Sequence, residues 1–359
     1  MLDTVKFKPI PAPVAWRGDE LEKSDEWIYV LTADELSELE TVGSRFLDED
    51  PDLRTVQAQD YPLPVCTPAI AAWGEALDRG RGFVLVRGLR CNRYSNALSA
   101  SIYFVLGLHL GQPMRQNEVG DMVQHIRATS DKKYMTASSL RIRDGLTYHS
   151  DSSDVVSLLC LHPAMEGGES SLVSPATLYN EVLARRPDLV SLLFEPWHFD
   201  WRQQDPDAPA NTYTSPMLSY VDGVFSAYLG NAIIRRAQDM YPEIPRLTAE
   251  QVELMDLIDA ICLEPGVALH MDFRQGDMQW VLNYAALHNR KAFKDAPEPE
   301  LRRHLLRLWL KRDTPRPLVP NFGRHVVKGR GETRGQEVPL EKQRFHITQA
   351  AIPRIDWGY

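Results

Sequence analysis

Apolar residues at helical spacing alternate along the chain with short runs at strand spacing. Leu36, Leu39, Val42 and Phe46 fall three or four apart, one face of a helix, behind a capping box made by Thr32 and Glu35. Thr67 and Pro68 open a second helix through Ile70, Trp73 and Leu77, which stops at DRGRG. A third is expected from Ser95 to His109, ending at Gly111, and a fourth from Ser174 and Pro175 through Leu178, Val182 and Leu183. Thr248 and Gln251 form another capping box, ahead of Val252, Leu254, Met255, Leu257 and Ile258.

Strands are expected at FVLVRGL (83–89), along VVSLLCL (155–161) and after the turn in GGESSLVS. Further strands fall within 197–230, with a hairpin turning at Asp222-Gly223. They return in VALHMDF, MQWVLNY and RRHLLRLWL, the first two joined by a tight turn at RQGD. Residues 1–30 read as an arm laid on the surface, and 112–147 as an irregular lid or substrate segment. Past Arg312 the chain is proline-rich and charged, and KGRGETRGQE has almost no apolar content. No repeat or break divides the rest. The expectation is one domain, 1–312, with an extension at 313–359. Its class is mainly β with helical cover (α+β), built on a β-sandwich core.

Composition narrows the function classes. Of 359 residues, 43% are hydrophobic, enough for a sizeable core without staples. A formal net charge of -9 argues against general nucleic-acid binding. The four cysteines, Cys66, Cys91, Cys160 and Cys262, lie far apart with no CxxC pair. Neither a zinc site nor a disulfide framework is expected. The absence of a long apolar run predicts no signal peptide and no membrane span, hence a soluble cytoplasmic protein. A homo-oligomer is left open.

Candidate chemistry begins in GLTYHSDSSDVVSLLCL (145–161). His149 and Asp151 are two apart, so in an extended chain they point to one side, with Ser150 turned away. An imidazole and a carboxylate make two thirds of the facial triad that holds iron(II); a plain surface hydrogen bond is the competing account. His288, in NYAALHNRKAF, follows a strand and is the best-placed third ligand, against an edge histidine bonded to backbone. In RRHLLRLWL, Arg303, Leu305, Arg307 and Trp309 share one face. Two arginines on an otherwise apolar face are costly unless they meet anions, and guanidinium suits a carboxylate. Otherwise they cap the strand on a solvated face.

YHSD, GGES, LH after a GD turn and RRHLLR, in that order, resemble the taurine dioxygenase-like (TauD/TfdA) branch of iron(II)/2-oxoglutarate-dependent oxygenases, over roughly residues 80–312. The resemblance implies a double-stranded β-helix (jelly-roll) core with His149, Asp151 and His288 as iron ligands. It gives Arg303 the distal carboxylate of 2-oxoglutarate and Ser170 a hydroxyl contact to the same group, where the family often has threonine. Arg307 matches a second arginine that in some members grips an anionic substrate and can line the cosubstrate pocket. A longer loop between His288 and Arg303 leaves open which of Arg303 and Arg307 binds the cosubstrate.

The resemblance further implies oxidation of a C–H bond by dioxygen, with 2-oxoglutarate leaving as succinate and CO2. Asp151 disfavours halogenation, because halogenating relatives lose that carboxylate. Gln124, Arg127, Arg141, Arg143, Tyr148 and Asn283 are candidates for substrate contact, or for surface charge and packing; Asn283 could instead orient the site. Arginines near the site suggest a small polar molecule, anionic or amino-acid-like. Hydroxylation is the leading reaction. Desaturation, cyclisation and epimerisation use the same ligands, and a metal-binding sensor without turnover or a hydrolytic or isomerising metalloenzyme are the other classes.

Overall fold

The computed structural model describes residues 7–117, 120–128, 146–201, 210–323 and 344–353. In chain order its strands are β1 (Ile28–Val30), β2 (Phe83–Arg87), β3 (Gln112–Pro113), β4 (Gln124–Ile126), β5 (Val155–His162), β6 (Glu166–Gly167), β7 (Ser170–Val173) and β8 (Trp197–Asp200). They continue with β9 (Thr212–Ser215), β10 (Leu218–Val221), β11 (Val224–Ala227), β12 (Leu269–Met271), β13 (Met278–Leu282), β14 (Leu287–Arg290), β15 (Phe293–Lys294) and β16 (His304–Lys311). The main helices are α1 (Gly18–Leu21), α2 (Ala33–Glu49), α3 (Thr67–Asp78), α4 (Asn96–Leu110), α5 (Pro175–Arg185), α6 (Asn231–Met240), α7 (Ala249–Cys262) and α8 (Ile347–Ala350).

A seven-stranded sheet runs β1-β2-β13-β5-β16-β3, with β4 also on β16; a three-stranded sheet, β12-β7-β14, forms the other layer. Only the β1–β2 pairing in the large sheet is parallel. Alternation along each strand sorts the two faces. Phe83, Leu85, Val156, Val281 and Trp309 of the large sheet meet Leu172, Leu269 and Met271 of the small one. The opposite face of the large sheet, with Val84, Val86, Leu159, Trp280, Leu306, Leu308 and Leu310, packs under helices in the main core. This is the jelly roll with helical cover. Truncating a core side chain such as Leu308, 0% exposed, costs about 2–5 kcal/mol.

Both capping boxes form, at Thr32/Glu35 and Thr248/Gln251. The hairpin β10–β11 turns at Asp222 and Gly223, both with positive φ. Helix α4 is buried on nearly every side, as a helix apolar all round should be.

The two ends of the chain differ from the sequence expectation. Trp16 and Trp27 are buried between the sheets, Gly18 N–H donates to Val267 O, and β1 extends the large sheet. Within 7–30, Trp16, Gly18 and Trp27 are therefore buried anchors of a segment that is otherwise mostly exposed or half-buried, and proline and charge conceal them because no periodicity marks isolated tryptophans. Past Arg312, Phe322, Ile347 and Ala350 also enter the main core. Residues 324–343, with KGRGETRGQE, lie outside the described residues. Among the described residues no helix is long and apolar enough to cross a membrane.

Candidate active site

His149 lies just ahead of β5 and His288 within β14. The two form an isolated antiparallel bridge, each backbone N–H donating to the other's carbonyl at 3.1 Å. Sequence reading put His288 after a strand; it belongs to a separate short strand, because the chain turns at 283–286 and re-enters the small sheet beside β7. The imidazole centres are 4.4 Å apart. Asp151 Oδ1 is 3.9 Å from His149 Nε2, and Oδ2 is 3.9 Å from His288 Nε2. One ligating atom from each of the three lies within 4.8 Å of the other two, the one such group of His, Cys, Asp and Glu among the described residues.

Protonation favours a cation there. His149 Nδ1 is 2.7 Å from Thr147 O. A carbonyl only accepts, so Nδ1 carries the proton and the Nε2 lone pair turns to Asp151. Burial, then the neighbouring His149, pushes His288 down to about 3, so it is neutral. Burial alone would raise Asp151. The Arg307 guanidinium, with the Trp309 indole N–H, outweighs it and holds the carboxyl well below its ordinary range. Two imidazoles and an ionised carboxylate are the donor set of the facial iron(II) triad, so the residues fit the ion.

Asn283 ties the loop down. Its Oδ1 accepts from Asp151 N at 3.1 Å, its Nδ2 donates to Ser153 O and Oγ, and its carbonyl accepts from Ser150 Oγ. Both ends of the amide are spent on residues 151–153, so the geometry gives Asn283 the orienting role and not a substrate contact.

A second cluster lies along β14 and β7. Arg290, two residues past His288 and about 7 Å further along, points to the same inner side and pairs in register with Ser170. Ser170 Oγ donates to Gln279 Oε1 at 3.1 Å. Arg303 is 4% exposed, and its Nη1 is buried with no hydrogen-bond partner among the described residues. Burial and then the Arg290 guanidinium push Arg303 down to about 10. Both guanidiniums stack on Phe293, 5.0 and 5.1 Å from the ring centre. Gly168, with φ +75°, makes room: a Cβ there would lie 3.1 Å from Arg303 Nε. Two buried positive charges with an unsatisfied N–H call for an anion. Arg290 was not singled out in the sequence, although its place two after His288 was the available signal.

Arg307 is placed differently. Nη1 donates to Asp151 Oδ2 at 3.1 Å, Nε to Gln116 Oε1 at 2.8 Å and Nη2 to Gln124 Oε1 at 2.7 Å. Trp309 Nε1 also reaches Asp151 Oδ2, at 2.9 Å. Gln124 therefore faces Arg307. Tyr148, whose neighbour His149 points to the site, packs against the main core; burial raises its hydroxyl to about 12, with Ser171 opposing. That side of β7 faces away from the triad. Arg127 donates to Pro299 O at an exposed position. Arg141 and Arg143 lie outside the described residues.

A family model described as "Taurine catabolism dioxygenase TauD, TfdA family" matches residues 49–309. FR-33289 synthase of Streptomyces rubellomurinus is 28% identical over 337 residues, covering 90% of this chain and 96% of that protein. Taurine hydroxylase-like protein SAT17 of Stachybotrys chartarum is 26% identical, covering 82% of this chain and 78% of its own length. An asparagine oxygenase solved with Fe(II), 3-hydroxyasparagine and succinate superposes with a TM-score of 0.61 at 15% identity, over 80% of this chain and 94% of that one. The non-heme iron oxygenase OrfP with Fe and alpha-ketoglutaric acid gives 0.60 at 17%, with the same coverage. At these identities the two structures speak for the fold.

Proposed function

Since the chain belongs to the TauD, TfdA family of iron(II)/2-oxoglutarate-dependent dioxygenases, we propose that His149, Asp151 and His288 hold its iron and that it hydroxylates a small, amino-acid-like molecule. The observation that carries the ligand assignment is the convergence of three donor atoms within 4.8 Å of one another. Bound iron, with dioxygen and 2-oxoglutarate, supplies the oxidising power: one oxygen atom goes into the C–H bond, the other into succinate, and CO2 leaves.

The protein's own residues bind and orient. His149 Nε2, Asp151 and His288 Nε2 offer three adjacent donors and leave the rest of an ion's surface open. Arg303, with Nη1 unpartnered, receives the distal carboxylate of 2-oxoglutarate, and the Ser170 hydroxyl lies on the same inner wall. Arg290, beside Arg303, raises the positive potential of that end. Trp309, Val156 and Leu172 keep the walls apolar.

The substrate class rests on the relatives' printed descriptions. Asparagine oxygenase is described with hydroxyasparagine, OrfP with hydroxy-L-Arg, and one curated relative is named for taurine, an aminosulfonate. The shared chemistry is a small molecule carrying an amine and an acid. Four buried free cysteines fit a reducing, cytoplasmic setting.

Purified protein given iron(II) and 2-oxoglutarate without oxygen should develop a visible charge-transfer band. With air and an amino-acid panel it should form succinate in step with a hydroxylated product. His288→Ala should lose both. A wild-type protein with neither band nor succinate, or a His288→Ala variant with full activity, would overturn the assignment.

A further inference from the structure

Asp151 is held at its outer oxygen by two donors from one strand. Arg307 and Trp309 are two apart on β16, so both point inward. Their Nη1 and Nε1 reach the same Oδ2, at 3.1 and 2.9 Å. The guanidinium stacks over the indole, 4.6 Å from the ring centre. Both donors fall on Oδ2, which also lies 3.9 Å from His288 Nε2, and neither falls on Oδ1, which lies 3.9 Å from His149 Nε2.

The donors are themselves fixed. Arg307 has an acceptor on each of its three nitrogens: Gln116 on Nε, Asp151 on Nη1 and Gln124 on Nη2. Gln116, 4% exposed, also donates from Nε2 to Arg307 O at 2.7 Å and Met122 O at 2.9 Å. Side chain and backbone of Arg307 are thus gripped by one glutamine 191 positions away. The Arg307 charge is answered inside the site by Asp151. From the other direction, Asn283 holds the Asp151 backbone N–H.

We propose that Arg307 and Trp309, locked by Gln116 and Gln124, form a clamp that presents Asp151 to the ion through Oδ1 alone, and that Arg307 is a positioning residue here and not the grip for a substrate's anion. The inference rests on Asp151 being an iron ligand. It assigns the substrate's acidic group to some other cation, because engaging Arg307 would cost bonds already made to a buried carboxylate.

The variants are Trp309→Phe, which removes one donor and keeps the ring, and Arg307→Gln. The probes are manganese(II) affinity without cosubstrate, the position of the iron(II)/2-oxoglutarate charge-transfer band, and the substrate KM at saturating metal. Losing a hydrogen-bond partner of a metal ligand typically weakens metal binding about 10–100-fold. Each variant should weaken manganese(II) at least about 10-fold and shift the band. The Trp309→Phe protein should keep its wild-type melting profile, and neither variant should raise the substrate KM by more than about threefold once metal is saturating. Unchanged manganese(II) affinity and band position in both would overturn the clamp. So would an Arg307→Gln protein with intact metal binding and a substrate KM raised tenfold or more. The ligand assignment fails separately, if His149→Ala and His288→Ala bind manganese(II) as tightly as wild type.

Discussion

Arg303, just ahead of β16, and Arg307, within it, stand four residues apart, and their surroundings are opposite. Arg307 has three side-chain acceptors against it, one of them a carboxylate. Arg303 has a second guanidinium for a neighbour and an Nη1 with no partner. Sequence treats them as interchangeable, since alternation gives both the same face. The difference shows that a buried charge is explained by what lies across from it: one arginine is completed by the chain, and the other is left to be completed by a ligand.

The strongest way to break this contrast is Arg303→Ala. It should weaken 2-oxoglutarate binding about 100-fold, the loss of charge-assisted hydrogen bonds, while manganese(II) affinity stays within about twofold. Equal losses of metal and cosubstrate would erase the distinction between the two arginines. A smaller effect is expected from Ser170→Ala. The hydroxyl is one neutral donor already shared with Gln279, so the cosubstrate dissociation constant should rise about 3–10-fold in a titration by charge-transfer band. No change would remove Ser170 from the pocket.

The smallest test concerns what backs the Arg307 end. Strand β4 carries Gln124 and, next to it, His125. His125 Nε2 is 2.8 Å from Ala350 O, which can only accept, so the proton sits on Nε2 and Nδ1 accepts from His304 Nε2 at 2.7 Å. Burial first, then nearby cations, holds His125 to about 4; burial and His125 hold His304 to about 2. Asp121, Arg127, Arg344 and His162 are the other charged or titratable groups acting on the pair. Both values lie below the ordinary 6.5. Between about 6.5 and 4 only the unfolded chain takes up these protons, so stability falls as pH drops through that window. Urea unfolding should show a loss of about 4 kcal/mol from this pair, about 2 kcal/mol for each ring, between pH 7 and 5. The double variant His125→Gln/His304→Gln should lack that slope; a retained slope would place the acid sensitivity elsewhere.

What the sequence disclosed follows from range. The capping boxes and the Asp222-Gly223 hairpin are made by residues within a few positions, and both form as read. The His149/Asp151 pair was legible from its spacing, and Arg303 and Arg307 from alternation. Gln116 was not, because its partner is 191 positions away and no local pattern marks a buried glutamine. Trp309 was counted only as apolar surface. Its indole N–H on a cavity face was the clue to a polar role, and the acceptor, 158 positions off, completes it. Tyr148 was drawn to the site by adjacency to His149, although adjacent residues in an extended chain face opposite ways.

The paired backbone contact between residues 149 and 288 has a further effect. Two mutual N–H to carbonyl bonds set the separation of the imidazoles before any ion arrives. The entropy of gathering two ligands is thus spent during folding, and an incoming ion finds a half-built socket. Cutting either side chain back to alanine leaves that ladder rung in place, so the opposite imidazole and the carboxylate should hold their posts around a hole the size of one ring. Free imidazole added from solution is the natural plug for it.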